Sequence, residues 1–326
     1  MKTNNRFEVI LRGFSQKNIL VIGDLLLDGY YWGKTERISP EAPVPIVEVH
    51  KTNFNPGGAG NVALNIAKLG SNISILGVIG SDDNGKMLLN LLEKEGIDVS
   101  QIIKLDDYQT PIKTRVFAQD QQVVRIDQEN NSIKSDLILP EIKELLEKHL
   151  ENYDGVILAD YNKGLFTEEI ILLIIELARK LSIPIYVDPK WDNFYEYKNV
   201  HFFKPNLLEF QKAIDKTSQL DDIGKFGNQM RQKLNADILL VTRGADGATL
   251  FTNEEHQSIP TESHSVHDVS GAGDTVISAF ALADLCGASA SEAANIANVA
   301  ASIVCGQVGV VPIQFSELLQ SIRKID

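Results

Sequence analysis

The string Asp268-Val269-Ser270-Gly271-Ala272-Gly273-Asp274-Thr275, followed by the small, apolar stretch Val276 to Ala283, is the part of the chain best suited to chemistry. Gly271 and Gly273 permit tight backbone turning. A helix beginning there directs unpaired N–H groups and the positive end of its dipole outward. With Ala272 between them, the two glycines outline an anion hole. Asp274, a carboxylate at its edge, is suited to take a proton from a hydroxyl nucleophile while the N–H groups hold charge developing on a phosphoryl group. The same string also reads as a Gly-rich cap between two elements.

A second Gly cluster is Pro56-Gly57-Gly58-Ala59-Gly60-Asn61-Val62-Ala63. Gly58 to Ala63 fits the dinucleotide pattern Gly-x-Gly-x-x-Ala, which belongs directly between a strand and a helix. Here His50 to Pro56 separates it from a strand expected to end near Val49, and Ile73 to Ile79 leads into Gly80-Ser81-Asp82 rather than an acidic ribose ligand. The glycines are read instead as a turn that lets a polyhydroxy ligand approach the backbone, with Asn61 offering donor and acceptor. A helix N-terminus without a ligand is the alternative. Neither a Walker loop nor a Gly-x-Ser-x-Gly elbow is present. His264 and His267 lack a third ligand at suggestive spacing, whereas Mg²⁺ held by substrate phosphates and water would leave almost no sequence trace.

The elements that must position these residues alternate. Strands are expected over Ile19 to Gly23, Ile73 to Ile79, Gly155 to Leu158, Pro184 to Val187, Val200 to Phe203, Ile238 to Val241 and Ala248 to Phe251. Helices are expected over Asn61 to Leu69, Gly85 to Glu95, Leu137 to Leu150 and Glu168 to Leu181, and after Gly271 and Ser291. This order predicts an α/β fold, a three-layer sandwich whose mainly parallel sheet is covered by helices on both faces. Ligands of such sheets bind beyond the carboxyl ends of the strands. Asp24 and Asp28 after the first strand, then Asp160, Asp188, Asn206 and Arg243, fall there; each alone also reads as a turn or cap. Segments at about 30–52 and 110–128, including Ile46 to Val49, Ile112 to Phe117 and Val123 to Ile126, read as a small β-lid. With no repeat and no linker, residues 1–326 are read as one domain.

Lys and Arg number 31 against 44 Asp and Glu, a formal charge of −13, which argues against nucleic acid or an anionic membrane as partner. The longest aliphatic run, Ile170 to Ile175, is too short to span a bilayer, and no signal-peptide pattern opens the chain. Cytoplasmic residence is the expectation. Cys286 and Cys305 belong to no disulfide framework or ligand cluster and are expected as reduced, buried thiols.

The two Gly clusters, in this order, resemble the ribokinase-like (PfkB) family of carbohydrate kinases, across nearly the whole chain. Gly57-Gly58-Ala59-Gly60-Asn61 resembles the family's sugar-site signature, and Asp268 to Thr275 its C-terminal signature. The resemblance implies a ribokinase-like fold, Asp274 as catalytic base, and Gly271, Ala272 and Gly273 as the anion hole. It further implies Asp28 and Asn61 as sugar-hydroxyl ligands, with Gly57 and Gly58 shaping their pocket. Asn206-Leu207-Leu208-Glu209 matches a motif linked to Mg²⁺ and phosphate, Thr242, Arg243 and Gly244 fall where the nucleotide is expected, and Asn298 falls beside adenine. Asp268 and Ser270 match a monovalent-cation site, K⁺ in some relatives.

Within the family, Gly23 to Gly33, Arg37 to Pro45, Gln121 to Asp127, Asp160-Tyr161-Asn162-Lys163-Gly164, Asp188-Pro189-Lys190 and Lys204-Pro205-Asn206-Leu207 are similar to the subgroup that phosphorylates D-glycero-D-manno-heptose 7-phosphate at C1. A phosphorylated sugar needs cations, and Lys113, Arg115, Arg125, Lys163 and Lys190 lie on the expected lid or after strands; each also reads as a solvated surface charge. ATP and Mg²⁺ are the implied cofactors, and the product is expected to feed ADP-heptose formation for lipopolysaccharide core or another glycan. Some relatives carry a C-terminal nucleotidyltransferase domain. None is expected in the few residues after Gln314, so the chain is read as a stand-alone kinase or an excised half, functionally linked to a separate nucleotidyltransferase. Exposed lid edges suggest a homodimer. The competing expectations are another PfkB kinase acting on a pentose, fructose or nucleoside, a catalytically silent sugar-binding regulator, and an NAD-dependent oxidoreductase.

Overall fold

A computed structural model of the chain describes residues 3–119, 121–129, 133–214, 223–254, 256–261, 270–307 and 309–324. Ile19, Leu20, Val21 and Ile22 are wholly buried in β1 (Asn18–Gly23), as a parallel strand covered on both faces requires. Their side chains alternate: Ile19 and Val21 join one core, Leu20 and Ile22 the other. Around β1 runs a nine-stranded sheet. On one side lie β4 (Asn72–Gly80) and β5 (Asp98–Leu105); on the other lie β8 (Gly155–Ala159), β9 (Ile185–Asp188), β10 (Phe202–Phe203) and β11 (Ile238–Thr242), all parallel. The antiparallel strands β12 (Ala248–Phe251) and β13 (His256–Ile259) finish that edge.

The first core takes helices α1 (Thr3–Arg12), α2 (Ala59–Lys68), α3 (Asp83–Lys94), α8 (Ala272–Leu285), α9 (Ala290–Cys305) and α10 (Phe315–Ile322). The second takes α4 (Ser135–His149), α5 (Glu168–Lys180), α6 (Leu207–Ala213) and α7 (Ile223–Leu234). The expected three-layer sandwich is therefore present. Every residue of α8 from Asp274 to Ala283 is buried, which explains a sequence apolar all round. Phe280 of α8 stacks on Phe202 of β10, ring centres 3.9 Å apart, so the helix is fixed against the sheet.

The lid is larger than the sequence suggests. Its four strands run in the order β3-β2-β6-β7, comprising β2 (Leu25–Ile38), β3 (Pro45–Gly58), β6 (Ile112–Ala118) and β7 (Gln121–Gln128). Asp28 thus belongs to the lid, not to the end of β1. The strand expected to stop near Val49 continues through Pro56 and both glycines, so the Gly cluster does join a strand directly to α2. That strand is antiparallel and lies in the small sheet, a setting unlike the parallel βαβ unit of a dinucleotide fold. Gly58 has φ 58°, and a Cβ there would sit 2.5 Å from the Asp24 carbonyl. Cys286 and Cys305 are partly exposed rather than buried, and neither forms a disulfide. Among the described residues no helix is long and apolar enough to cross a membrane.

Candidate active site

Gly271 caps α8 in the left-handed region, φ 79°. The Thr275 N–H, bonded to Gly271 O at 3.1 Å, closes the first turn, so the N–H groups before it have no helical carbonyl to meet. A polar ladder sets this helix end against α2. Asn65 donates to Asn61 O at 2.8 Å, the Thr275 hydroxyl donates to Asn65 Oδ1 at 3.0 Å, and Ser278 donates to Asp274 O at 2.7 Å. Each of these groups is buried and partnered, which fixes two side chains that face each other: Asn61 Nδ2 donates to Asp274 Oδ2 at 2.6 Å. The hydroxyl of Tyr161, in the loop after β8, donates to the other oxygen, Oδ1.

Two cavities meet at Asp274. The larger, about 540 Å³, runs from Gly271, Ala272, Gly273 and Asp274 past Thr242, Arg243 and Gly244 to Asn298. That volume lies within the range of small-molecule and cofactor sites. The smaller, about 140 Å³, is bounded by Asp28, Gly58, Asn61, Lys113, Arg115 and Ser270. Tyr161, Gly271, Gly273 and Asp274 line both. Burial, reinforced by the nearby Asp188 carboxylate, raises the Asp274 pKa to about 6; the Tyr161 and Asn61 hydrogen bonds and the Lys204 charge oppose the rise. A carboxylate so tuned is ionised at neutral pH yet basic enough to accept a proton.

Most of the expected residues are brought to these cavities. Gly57 lies just behind, where a Cβ would meet Leu26 and Asp28. Asp28 Oδ1 takes Arg115 Nη1 at 2.5 Å. Asn206 caps α6 by accepting the Glu209 N–H, and Glu209 Oε2 accepts the Asn206 N–H, each at 2.8 Å. The other Glu209 oxygen meets Lys190 Nζ at 2.5 Å, so Glu209 stands behind Lys190 rather than on the cavity wall. Lys190 itself faces the larger cavity, away from the lid. Burial works against its charge, but Asp188 and Glu209 outweigh burial and hold its pKa above the ordinary value. Asn298 is held by Pro260 O and Thr261, and the Arg243 guanidinium by Asp246 O and Ser258. Two expected cations line neither cavity: Arg125 pairs with Asp127 at 2.9 Å on the exposed strand β7, and Lys163 pairs with Glu129. Asp268 lies outside the described residues.

Two residues went unread as site residues. Lys204, buried and 3.0 Å from Asp188, places its ammonium 3.3 Å from where a Cβ on Gly273 would sit, directly at the N-terminus of α8. Its signal was position, since it follows the apolar pair Phe202–Phe203 at a carboxyl strand end, the rule that selected Asn206. Tyr161 follows Asp160 in the same way.

A helix N-terminus with a buried cation, a tuned carboxylate and a second polar cavity is an arrangement suited to phosphoryl transfer. Residues 16–314 match the profile described as pfkB family carbohydrate kinase. The chain belongs to that family and is an ATP-dependent carbohydrate kinase. It is 40% identical over 314 residues to the bifunctional protein HldE of Histophilus somni strain 129Pt, and 38% identical to that of Aliivibrio fischeri strain ATCC 700601 / ES114. The match covers 95% of this chain but 64% of the first relative, so the chain spans about two thirds of that protein's length. Among solved structures, phosphofructokinase-2 from Escherichia coli in complex with potassium superposes with a TM-score of 0.79 at 24% identity, covering 94% of this chain and 99% of that one. Arabidopsis thaliana ribokinase complexed with ribose and ATP gives 0.72 at 20%, covering 94% and 99%. Both share the fold.

Proposed function

We propose that this kinase transfers the γ-phosphoryl group of ATP to the C1 hydroxyl of D-glycero-β-D-manno-heptose 7-phosphate, giving the 1,7-bisphosphate. Asp274 takes the hydroxyl proton, the sugar oxygen bonds to the γ-phosphorus, and the bond from that phosphorus to the β–γ bridging oxygen breaks to release ADP. Gly271 to Gly273 and Lys204 hold the charge on the transferred group. Asp28 and Asn61 hold sugar hydroxyls, while Thr242, Arg243, Gly244 and Asn298 line the nucleotide. Mg²⁺ supplies charge neutralisation on the phosphates when bound. An ion carried mostly by phosphates and water needs few protein ligands, and Asn206 and Glu209 are the residues nearby. Ser270 lines the sugar cavity, and with Asp268 it is the candidate pair for K⁺.

Lys113 carries the reading. It faces the smaller cavity and makes no ion pair among the described residues; burial, with the neighbouring Lys163 charge, pushes its pKa down against the opposing pull of the Glu129, Asp28 and Asp127 carboxylates. An anion delivered by the substrate would complete it. The homology to HldE supports the heptose, and the product would pass to a nucleotidyltransferase for ADP-heptose synthesis. Two copies pair through the small sheet, whose edge strand β7 exposes Val123, Val124 and Ile126.

The test is ATP consumption on heptose 7-phosphate, fructose 6-phosphate, ribose and adenosine, with the product phosphate located by NMR. Preference for the heptose with phosphate at C1 is expected; preference for an unphosphorylated sugar contradicts the proposal. Lys113→Ala should raise KM for the phosphosugar by about tenfold to a hundredfold.

A further inference from the structure

We infer that Tyr161 is a positioning residue for the proton-accepting carboxylate: its hydroxyl fixes Asp274 and joins that carboxylate to the cationic wall of the nucleotide cavity. The inference rests on Asp274 being the proton acceptor proposed above. Tyr161 and Asp274 are the two non-glycine residues that line both cavities. The Tyr161 hydroxyl donates to Asp274 Oδ1 while Asn61 holds Oδ2 at 2.6 Å, so the carboxylate plane is clamped from both sides. Lys190 Nζ lies 5.6 Å from the centre of the Tyr161 ring, within reach of a cation–π contact. The ring's place is set by its backbone, whose N–H donates to Asp24 Oδ2 at 2.8 Å; Asp24 also takes the N–H groups of Lys163 and Leu165. Neither that backbone contact nor the wall requires a phenol. A phenylalanine would fill the same place without a polar group to desolvate.

A donor to a carboxylate favours its ionised form. The charged groups around Asp274 are Asp188 at the end of β9, Lys190 after it, Lys204 after β10, Asp28 on β2, and Lys113 and Arg115 on β6; Asn61 on α2 is neutral. Asp188 opposes ionisation, Lys204 supports it, and Tyr161 and Asn61 supply the direct hydrogen bonds. Burial and the Asp274 and Asp188 charges hold the Tyr161 pKa well above its ordinary value, so the phenol remains a donor throughout the working pH range.

The test compares the full chain with its Tyr161→Phe variant by ¹³C NMR titration of the aspartate carboxyls, Asp274 being assigned by its loss in Asp274→Asn. The Asp274 midpoint should rise by about one unit in Tyr161→Phe, and 3-fluorotyrosine at position 161, a stronger donor, should lower it. In the kinase assay kcat should fall about tenfold or more, the acid limb should move to higher pH, and KM for ATP should stay within about threefold. An unmoved midpoint overturns the inference, as does a raised KM for ATP with an unmoved acid limb, the behaviour of a mere wall. The titration needs no sugar, so it decides the role of Tyr161 even if every sugar fails and the proposed function falls.

Discussion

Lys204 Nζ stands 3.0 Å from Asp188 Oδ1, with both side chains buried where the main sheet meets the N-terminus of α8. Asp188 holds the ammonium beside Gly273, and the Lys204 charge in turn offsets part of the push that burial and the Asp188 carboxylate exert against the ionised form of Asp274. Lys204→Met should lower kcat at least about 100-fold through loss of charge stabilisation. It should also destabilise the fold by about 3–5 kcal/mol, because the buried Asp188 loses its direct ion-pair partner. Adding Asp188→Asn should restore much of the stability in urea unfolding but not the rate.

The pH profile follows from Asp274. Its carboxyl must be ionised to accept a proton, and with the pKa raised to about 6 the ionised form prevails above that value and is lost below it. Thus kcat/KM should be flat near neutrality and fall about tenfold per pH unit on the acid side of about pH 6. An acid limb near the ordinary carboxylate value of 3.8 would show that burial does not tune this group.

The parallel sheet was legible because strands such as Val156–Leu158 and Ile238–Val241 are continuous apolar runs, the pattern that two covered faces impose. The lid was half legible. In β2, Gly29 and Gly33 interrupt the apolar pattern, and in β3 the run Pro56-Gly57-Gly58 contradicts strand propensity. Gly57 and Gly58 are accepted because close approach to Asp24, Leu26 and Asp28 leaves no room for a Cβ, a tertiary demand invisible along the chain. The glycines, Asp274 and Asn61 could be found from their local strings. The partnership of Lys204 with Asp188, and of Tyr161 with Asp274, joins residues distant in sequence and becomes visible only once the strands are ordered.

Gly58→Ala tests that close approach. A methyl group would sit 2.5 Å from the Asp24 carbonyl at a positive φ, so the variant should lose at least about 1–3 kcal/mol and displace the start of α2, which carries Asn61. Chemical denaturation together with KM for the sugar checks this; an unchanged midpoint contradicts it.

His201 gives a second pH-dependent contribution, at a site apart from Asp274. Its ring meets Asp237 at 2.9 Å and Asp284 at 3.0 Å, and although burial opposes its charge, the two carboxylates hold its pKa above the ordinary value of 6.5. Charged His201 therefore stabilises the fold fully below about pH 6.5, and the contribution disappears as pH rises through the elevated folded-state value. The difference in Tm between the wild type and His201→Phe should shrink between pH 6 and pH 9. A difference independent of pH would show that the pair is neutral in the folded protein.

The most direct measurement is the turnover of Asp274→Asn with ATP and heptose 7-phosphate, set beside its ATP affinity by calorimetry. Asparagine preserves size and the contact with Asn61 or Tyr161 but cannot accept the hydroxyl proton. Turnover should fall by about a thousandfold or more while Kd for ATP stays within about threefold. Near-normal turnover would mean that another group takes the proton, and the meeting of the two cavities at Asp274 would lose its catalytic meaning.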